Sequence, residues 1–191
     1  MARRVYFAFH YKDVEDFRAN VVRNHHIAEG TEKAGYFDAS IWEDAKKKDP
    51  SSLKRLINSE LENTTVTVIL IGTETHARRW VRYEIFKSIE RGNTLLGIHI
   101  NSIKDKDQKT KVQGSNPFDS TGLRFSADGR TATPIEWNGT KWVDSADHGS
   151  FTLKEPRPPA DYGQSYKLSR WFGTKDWVAD DGYNNFNKWI E

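Results

Sequence analysis

The chain has no cysteine among its 191 residues, so disulfides, thiolate zinc sites, iron–sulfur clusters and cysteine nucleophiles are excluded together. Long apolar runs are missing too. The longest, Val66–Ile71 and Leu95–Ile100, fall far short of the roughly 18 residues that a membrane-spanning helix needs, and no membrane association is expected. Neither charge sign prevails: 29 Lys and Arg face 27 Asp and Glu, and the basic clusters at 46–48 and 104–111 lie beside acids. Such clusters read as solvated loops, and no nucleic-acid partner is expected. The opening Met-Ala-Arg-Arg runs directly into VYFAF without an apolar signal region, which points to a cytoplasmic protein.

What is present suffices for a sizeable core. A chain of this length buries roughly 70% of the surface its unfolded form exposes. The expectation is a single domain over 1–191, with a core at 1–101, an elaborated insertion at 102–165, and an aromatic-rich segment at 166–191 that packs back on the core.

The first half alternates strand-like and helix-like segments, the pattern of an α/β fold around a central parallel sheet. Arg4–Phe9 and Thr65–Ile71 are continuous β-branched and aromatic runs, as in strands buried on both faces. Asp13 can cap a helix with the apolar stripe Val14, Phe17 and Val21, reaching to about Ile27. Tyr36–Ala39 is a short second strand. Asp49-Pro50 opens a helix whose face carries Leu53, Leu56, Ile57 and Leu61. A helix over His76–Arg91, closed by Gly92-Asn93, leads into a strand at Thr94–Ile100. In the insertion, Asn138-Gly139 between two short runs predicts a hairpin with a type I′ turn. Asp180 or Asp181 can cap a C-terminal helix bearing Tyr183, Phe186 and Ile190.

A parallel sheet opens its ligand crevice beyond the carboxyl ends of its strands. The residues there are polar: His10 to Asp13 after the first strand, Ser40, Trp42, Glu43 and Asp44 after the second, and Gly72 to Thr75 after the third. No GxGxxG, GxxxxGK[ST] or GxSxG motif is present, and the histidines lack metal-ligand spacing, so no metal site and no bound cofactor are expected. Trp80 and Glu84 are four residues apart and project from one helix face, next to the stripe Val81, Ile85 and Ile89. That stripe packs, and its neighbour is expected to look along the crevice.

The order of strand TVTVILI, loop GTETHARR and W-x-x-x-E (Trp80 to Glu84) resembles the third strand and following helix of TIR domains. RVYFAFHYKD resembles their first box. Together with YFDASIWED and the tail DWVADDGYNNFNKWIE, these segments resemble the TIR-like ThsB family of the bacterial Thoeris antiphage system. The resemblance implies a flavodoxin-like, three-layer TIR-type fold with a central parallel sheet, a hairpin-containing insertion and a C-terminal helix. It implies NAD as substrate, activation by infection or by a phage component, self-association through TIR surfaces, and a cyclic ADP-ribose-type messenger that switches on a separate effector.

In the enzymatic members of that superfamily the glutamate of W-x-x-x-E is catalytic, which assigns the role to Glu84. Phe9, His10, Asp38, Ser40, Trp42, Thr73 and Trp80 are the candidate substrate-binding residues. The chemistry suits one carboxylate: nicotinamide is a cationic leaving group that needs no protonation, and a carboxylate at the ribose stabilises the developing oxocarbenium charge. Two other readings stand beside this one. The chain could be a non-enzymatic TIR-type adaptor, or a nucleoside deoxyribosyltransferase-like enzyme with Glu84 as nucleophile.

Overall fold

The computed structural model describes residues 4–10, 13, 17–28 and 49–191. The strand expected at 36–39 lies outside them. Strand β1 (Val5–Phe9) is followed by helix α1 (Arg18–Ala28), helix α2 (Pro50–Glu60), strand β2 (Val66–Ile71), helix α3 (Arg79–Arg91) and strand β3 (Thr94–His99). The insertion and tail supply β4 (Thr121–Phe125), β5 (Thr131–Trp137), β6 (Trp142–Asp144), β7 (Phe151–Thr152), β8 (Ser165–Lys167), β9 (Thr174–Asp176) and helix α4 (Gly182–Trp189).

The central sheet has the order β1-β2-β3-β9 with every pairing parallel, and its register places Tyr6 beside Thr67 and Ile71 beside His99. All six β2 residues are buried, because helices cover both faces of the sheet. The two-residue period of the strands sorts the core into two layers. Tyr6, Ala8, Ile69 and Ile71 pack against Leu53 and Ile57 of α2 and Ile85 and Phe86 of α3. Val5, Phe7, Val68 and Leu70 pack against Ala19 and Val22 of α1, Phe186 of α4 and Ile190 just after it. Each such aliphatic side chain contributes about 1.5–3 kcal/mol when fully buried. The result is the expected three-layer α/β architecture.

Local sequence explains most boundaries. Asp49 caps α2 by accepting from the Ser52 N–H at 2.9 Å, and Pro50 occupies the first turn, where a missing N–H costs nothing. Helix α3 stops at Gly92, whose φ of 88° suits a residue without Cβ, and Asn93 N–H closes the turn on Ser88 O at 2.9 Å.

Several elements differ from expectation. The stripe proposed for α1 does not hold where it is described: Phe17 and Val21 are exposed, and the buried apolar residues are Ala19 and Val22. Phe17 has a left-handed φ of 63°, which rotates the following helix relative to a regular continuation. The helix expected from His76 is split into a 3-10 turn (Thr75–Ala77) and α3, with extended Arg78 between them. In α4 Phe186 is buried, as is Ile190 just past the helix end, while Tyr183 is 66% exposed.

The insertion holds more than a hairpin. Together with β8 at the start of the tail it forms a five-stranded antiparallel sheet of order β6-β5-β4-β8, with β7 also paired to β5. The predicted hairpin joins β5 to β6, and the Asn138 side chain accepts from the N–H groups of Thr140 and Lys141 at 3.0 Å each. The strands stay joined as far as Asn138 N–H to Lys141 O at 3.1 Å, and Gly139 has a positive φ while Asn138 does not, so the turn is not a type I′ turn centred on Asn138-Gly139. Phe118, Leu123, Phe125 and Phe151 of this sheet and its approach complete the core layer that contains α3.

Candidate active site

Helix α3 lies between the parallel sheet and the insertion, and its burial follows from that. Val81 and Ile85 face the sheet layer, while the rings of Tyr83 and Phe86 lie 5.8 and 6.3 Å from the ring of His148 in the insertion. Asp147 fastens the same region: it takes two hydrogen bonds from Arg79, at 2.6 and 2.7 Å, and pairs with Lys54 of α2 at 3.2 Å. A helix covered on two sides leaves little open surface. The stripe of Trp80 and Glu84 is therefore not a solvent-facing row.

Glu84 is only 3% exposed. Its Oε1 accepts a hydrogen bond from the Tyr6 hydroxyl at 2.5 Å, and its Oε2 has no hydrogen-bond partner among the described residues. Burial pushes the carboxyl up from an ordinary 4.5 to about 8, against the opposing pull of the Tyr6 hydrogen bond. In the ligand-free protein at neutral pH the group is mostly protonated. A surface pairing with Lys87 is excluded, because Lys87 bonds Glu90 at 2.6 Å.

The backbone behind Glu84 is tied down as well. Ser88 Oγ donates to Glu84 O at 2.7 Å, and lies 2.8 Å from the hydroxyl of Thr67. Asn93 Nδ2 donates to Thr67 Oγ1 at 3.2 Å and to Thr64 Oγ1 at 2.9 Å. A polar chain thus runs from the helix into the centre of the sheet with its groups mutually bonded, as burial requires.

Of the other expected site residues, the structure describes Trp80, Phe9, His10 and Thr73, and Trp80 and Phe9 lie in different core layers. Trp80 is half-buried against the α3 layer, with the Arg79 guanidinium 4.8 Å from its ring centroid. Phe9 packs in the opposite layer, under the Arg23 guanidinium at 5.1 Å, because residues 6 and 9 of one strand point to opposite faces. His10 follows Phe9 at the end of β1, where its carbonyl accepts from Asp13 N–H at 2.9 Å. Thr73 is exposed and donates to Val112 O at 2.8 Å, which joins the loop after β2 to the insertion. Asp38, Ser40 and Trp42 lie outside the described residues. A separate cleft of about 460 Å³, walled by Trp137 and Trp142 and lined by His76, Asn116 and Asp119, contains none of the expected site residues.

Sequence reading missed Tyr6. The available signal was strand parity: Tyr6 and Ala8 share the face that α3 must cover, so a tyrosine hydroxyl there has to meet a polar group of that helix.

Comparison with known proteins agrees with the geometry. The family described as "Thoeris protein ThsB, TIR-like domain" matches residues 6–105. The candidate cyclic ADP-D-ribose synthase ThsB1 of Bacillus cereus (strain MSX-D12) is 52% identical over 191 residues, covering the whole of both chains. A buried helix glutamate behind the β2 strand, the family match and this full-length identity lead to one assignment: the chain belongs to the TIR-like ThsB family of the Thoeris system.

Proposed function

We propose that the chain cleaves the nicotinamide–ribose bond of NAD and closes the remaining ADP-ribose into a cyclic signalling nucleotide. The relative ThsB1 is named for synthesis of cyclic ADP-D-ribose. The observation that carries the reading onto this molecule is the Glu84 carboxyl, buried, held at one oxygen by Tyr6 and unpartnered at the other among the described residues.

The C1′–N bond breaks with its electron pair going to the ring nitrogen, so nicotinamide leaves neutral and needs no acid. Positive charge passes to C1′ and the ribose ring oxygen. Glu84 meets that charge and the ribose hydroxyls, and a carboxylate in a dry site is worth far more there than in water. A nucleophile of the same molecule then attacks C1′ and releases its proton to solvent. Exclusion of water favours this closure over hydrolysis to linear ADP-ribose.

The cyclic product carries the signal to a separate effector, in a cytoplasmic pathway triggered by infection. Self-association through TIR surfaces and contact with a phage component are parts of the same proposal. Among the described residues no helix is long and apolar enough to cross a membrane. The test is nicotinamide release from NAD by the purified chain, alone and with extract of infected cells, alongside Glu84→Gln. Loss of release and of cyclic product in the variant supports the reading; equal turnover by both proteins refutes it.

A further inference from the structure

Resting on the catalytic reading of Glu84, we propose that Tyr6 is a positioning residue of the reaction: its hydroxyl, bonded to Oε1, fixes the carboxyl group so that Oε2 alone is presented to the ribose. Three observations carry this.

Tyr6 is fully buried on β1, and phenylalanine would fill the same apolar space. A hydroxyl at that depth is costly unless it is bonded, and its partner here is Glu84 at 2.5 Å, 78 residues away in the chain. The bond holds one carboxyl oxygen and leaves the other directed elsewhere. That second oxygen is buried and has no partner among the described residues, so its acceptor capacity is open to a ligand hydroxyl.

Both ends of Glu84 are also referred to the same place in the sheet. Tyr6 and Thr67 are neighbours in the β1–β2 register. Tyr6 holds the carboxyl, while Thr67 reaches the Glu84 carbonyl through Ser88, by contacts of 2.8 and 2.7 Å. Side chain and backbone are therefore fixed against one register pair, which is how a catalytic group keeps its place to a fraction of an ångström. Burial and the adjoining Glu84 keep the phenol of Tyr6 well above its ordinary 10, so it remains a donor and does not act as a base. Tyr6 holds; Glu84 meets the substrate.

The test uses the full chain as wild type, Tyr6→Phe and Glu84→Gln, with glutamate carboxyls labelled with ¹³C. Glu84 is assigned as the resonance missing from Glu84→Gln. In Tyr6→Phe its titration midpoint is expected to rise by at least about one pH unit, since a hydrogen bond to the charged form is lost. Turnover of NAD is expected to fall about tenfold or more in kcat with little change in KM, and the acid limb of the pH–rate profile should follow the same shift. A tyrosine that only fills space would change melting temperature and leave midpoint and profile in place; that result overturns the proposal. If Tyr6→Phe fails to fold, 3-fluorotyrosine placed at position 6 keeps the shape and strengthens the donor. The midpoint must then move down, and an unmoved midpoint overturns the proposal equally. Turnover retained by Glu84→Gln would defeat the catalytic reading instead, which the titration of Tyr6→Phe distinguishes.

Discussion

The carboxyl group of Asp13 lies directly against the α-carbon of Gly72: a Cβ at Gly72 would come within 2.1 Å of Oδ1. Thr75 joins them, its hydroxyl accepting the Gly72 N–H at 2.9 Å and donating to Asp13 Oδ2 at 3.4 Å. Asp13 follows β1, and Gly72 follows β2 and leads toward α3. The contact stitches together two loops at the carboxyl ends of adjacent strands, beside the crevice where the substrate of a parallel-sheet enzyme docks.

Gly72→Ala should therefore cost about 1–3 kcal/mol, since the methyl group must displace a buried carboxyl rather than a flexible surface chain. Urea denaturation measures this. In an Asp13→Ala background the same change should cost less, with a coupling of about 1 kcal/mol in the double-mutant cycle. Additive effects would show that the close approach is relieved some other way.

Glu84→Gln should abolish turnover and make the protein more stable at alkaline pH. The folded carboxyl titrates near 8, above its ordinary 4.5, so the native state binds more protons than the unfolded chain between those values. Stability conferred by the protonated group is fully present below about 4.5 and is lost as pH rises through 8. The loss reaches about 5 kcal/mol as an upper figure. Glutamine stays neutral and escapes it. Melting temperature against pH from 5 to 9 should fall more steeply in the wild type than in the variant; parallel curves would contradict the raised titration.

Much of this fold was legible because its strongest signals are local. VYFAF and TVTVILI read as buried strands, Asp49-Pro50 fixed the start of α2, and Asn138-Gly139 marked the hairpin, whereas Glu84 was singled out through the resemblance of its segment to TIR domains. What escaped depends on contacts between distant segments or on backbone states that composition does not encode. The Tyr6–Glu84 bond joins residues 78 apart. Strand β9 is three residues of TKD, with no strand character of its own, held by its pairing with Gly97 to His99. The left-handed turn at Phe17 shifted the α1 stripe, and insertion strands as short as Phe151–Thr152 carry too few residues for an alternation to be counted.

Arg18 should prove a structural cornerstone of the insertion. It is 1% exposed, and it donates to Ile103 O at 2.8 Å, Lys109 O at 2.6 Å and Asp105 Oδ2 at 3.2 Å. Arg18→Met keeps apolar bulk and removes the donors, leaving the buried Ile103 carbonyl and two partly buried acceptors unpaired at an expected cost of about 3 kcal/mol. Hydrogen exchange should quicken across 103–109 in the variant while β2 stays protected. Uniform quickening of both would mean that the arginine supports the whole domain instead of this loop.

Binding of NAD should release about one proton near pH 7. In the free protein the Glu84 carboxyl, titrating at about 8, is mostly protonated at that pH, because burial disfavours its charge. The nicotinamide ring of NAD carries a positive charge, and a cation brought close to a buried carboxyl favours the ionised form, so binding drives the proton into solvent. Calorimetry with a non-cleavable NAD analogue, in two buffers of different ionisation enthalpy, counts that proton from the difference in apparent heat. At pH 9, where the free carboxyl is already ionised, the count should approach zero, and in Glu84→Gln it should be zero throughout. A wild-type count of zero at pH 7 would mean that Glu84 keeps its proton in the complex and meets the ribose as a hydrogen-bond donor, which would remove the electrostatic role assigned to it.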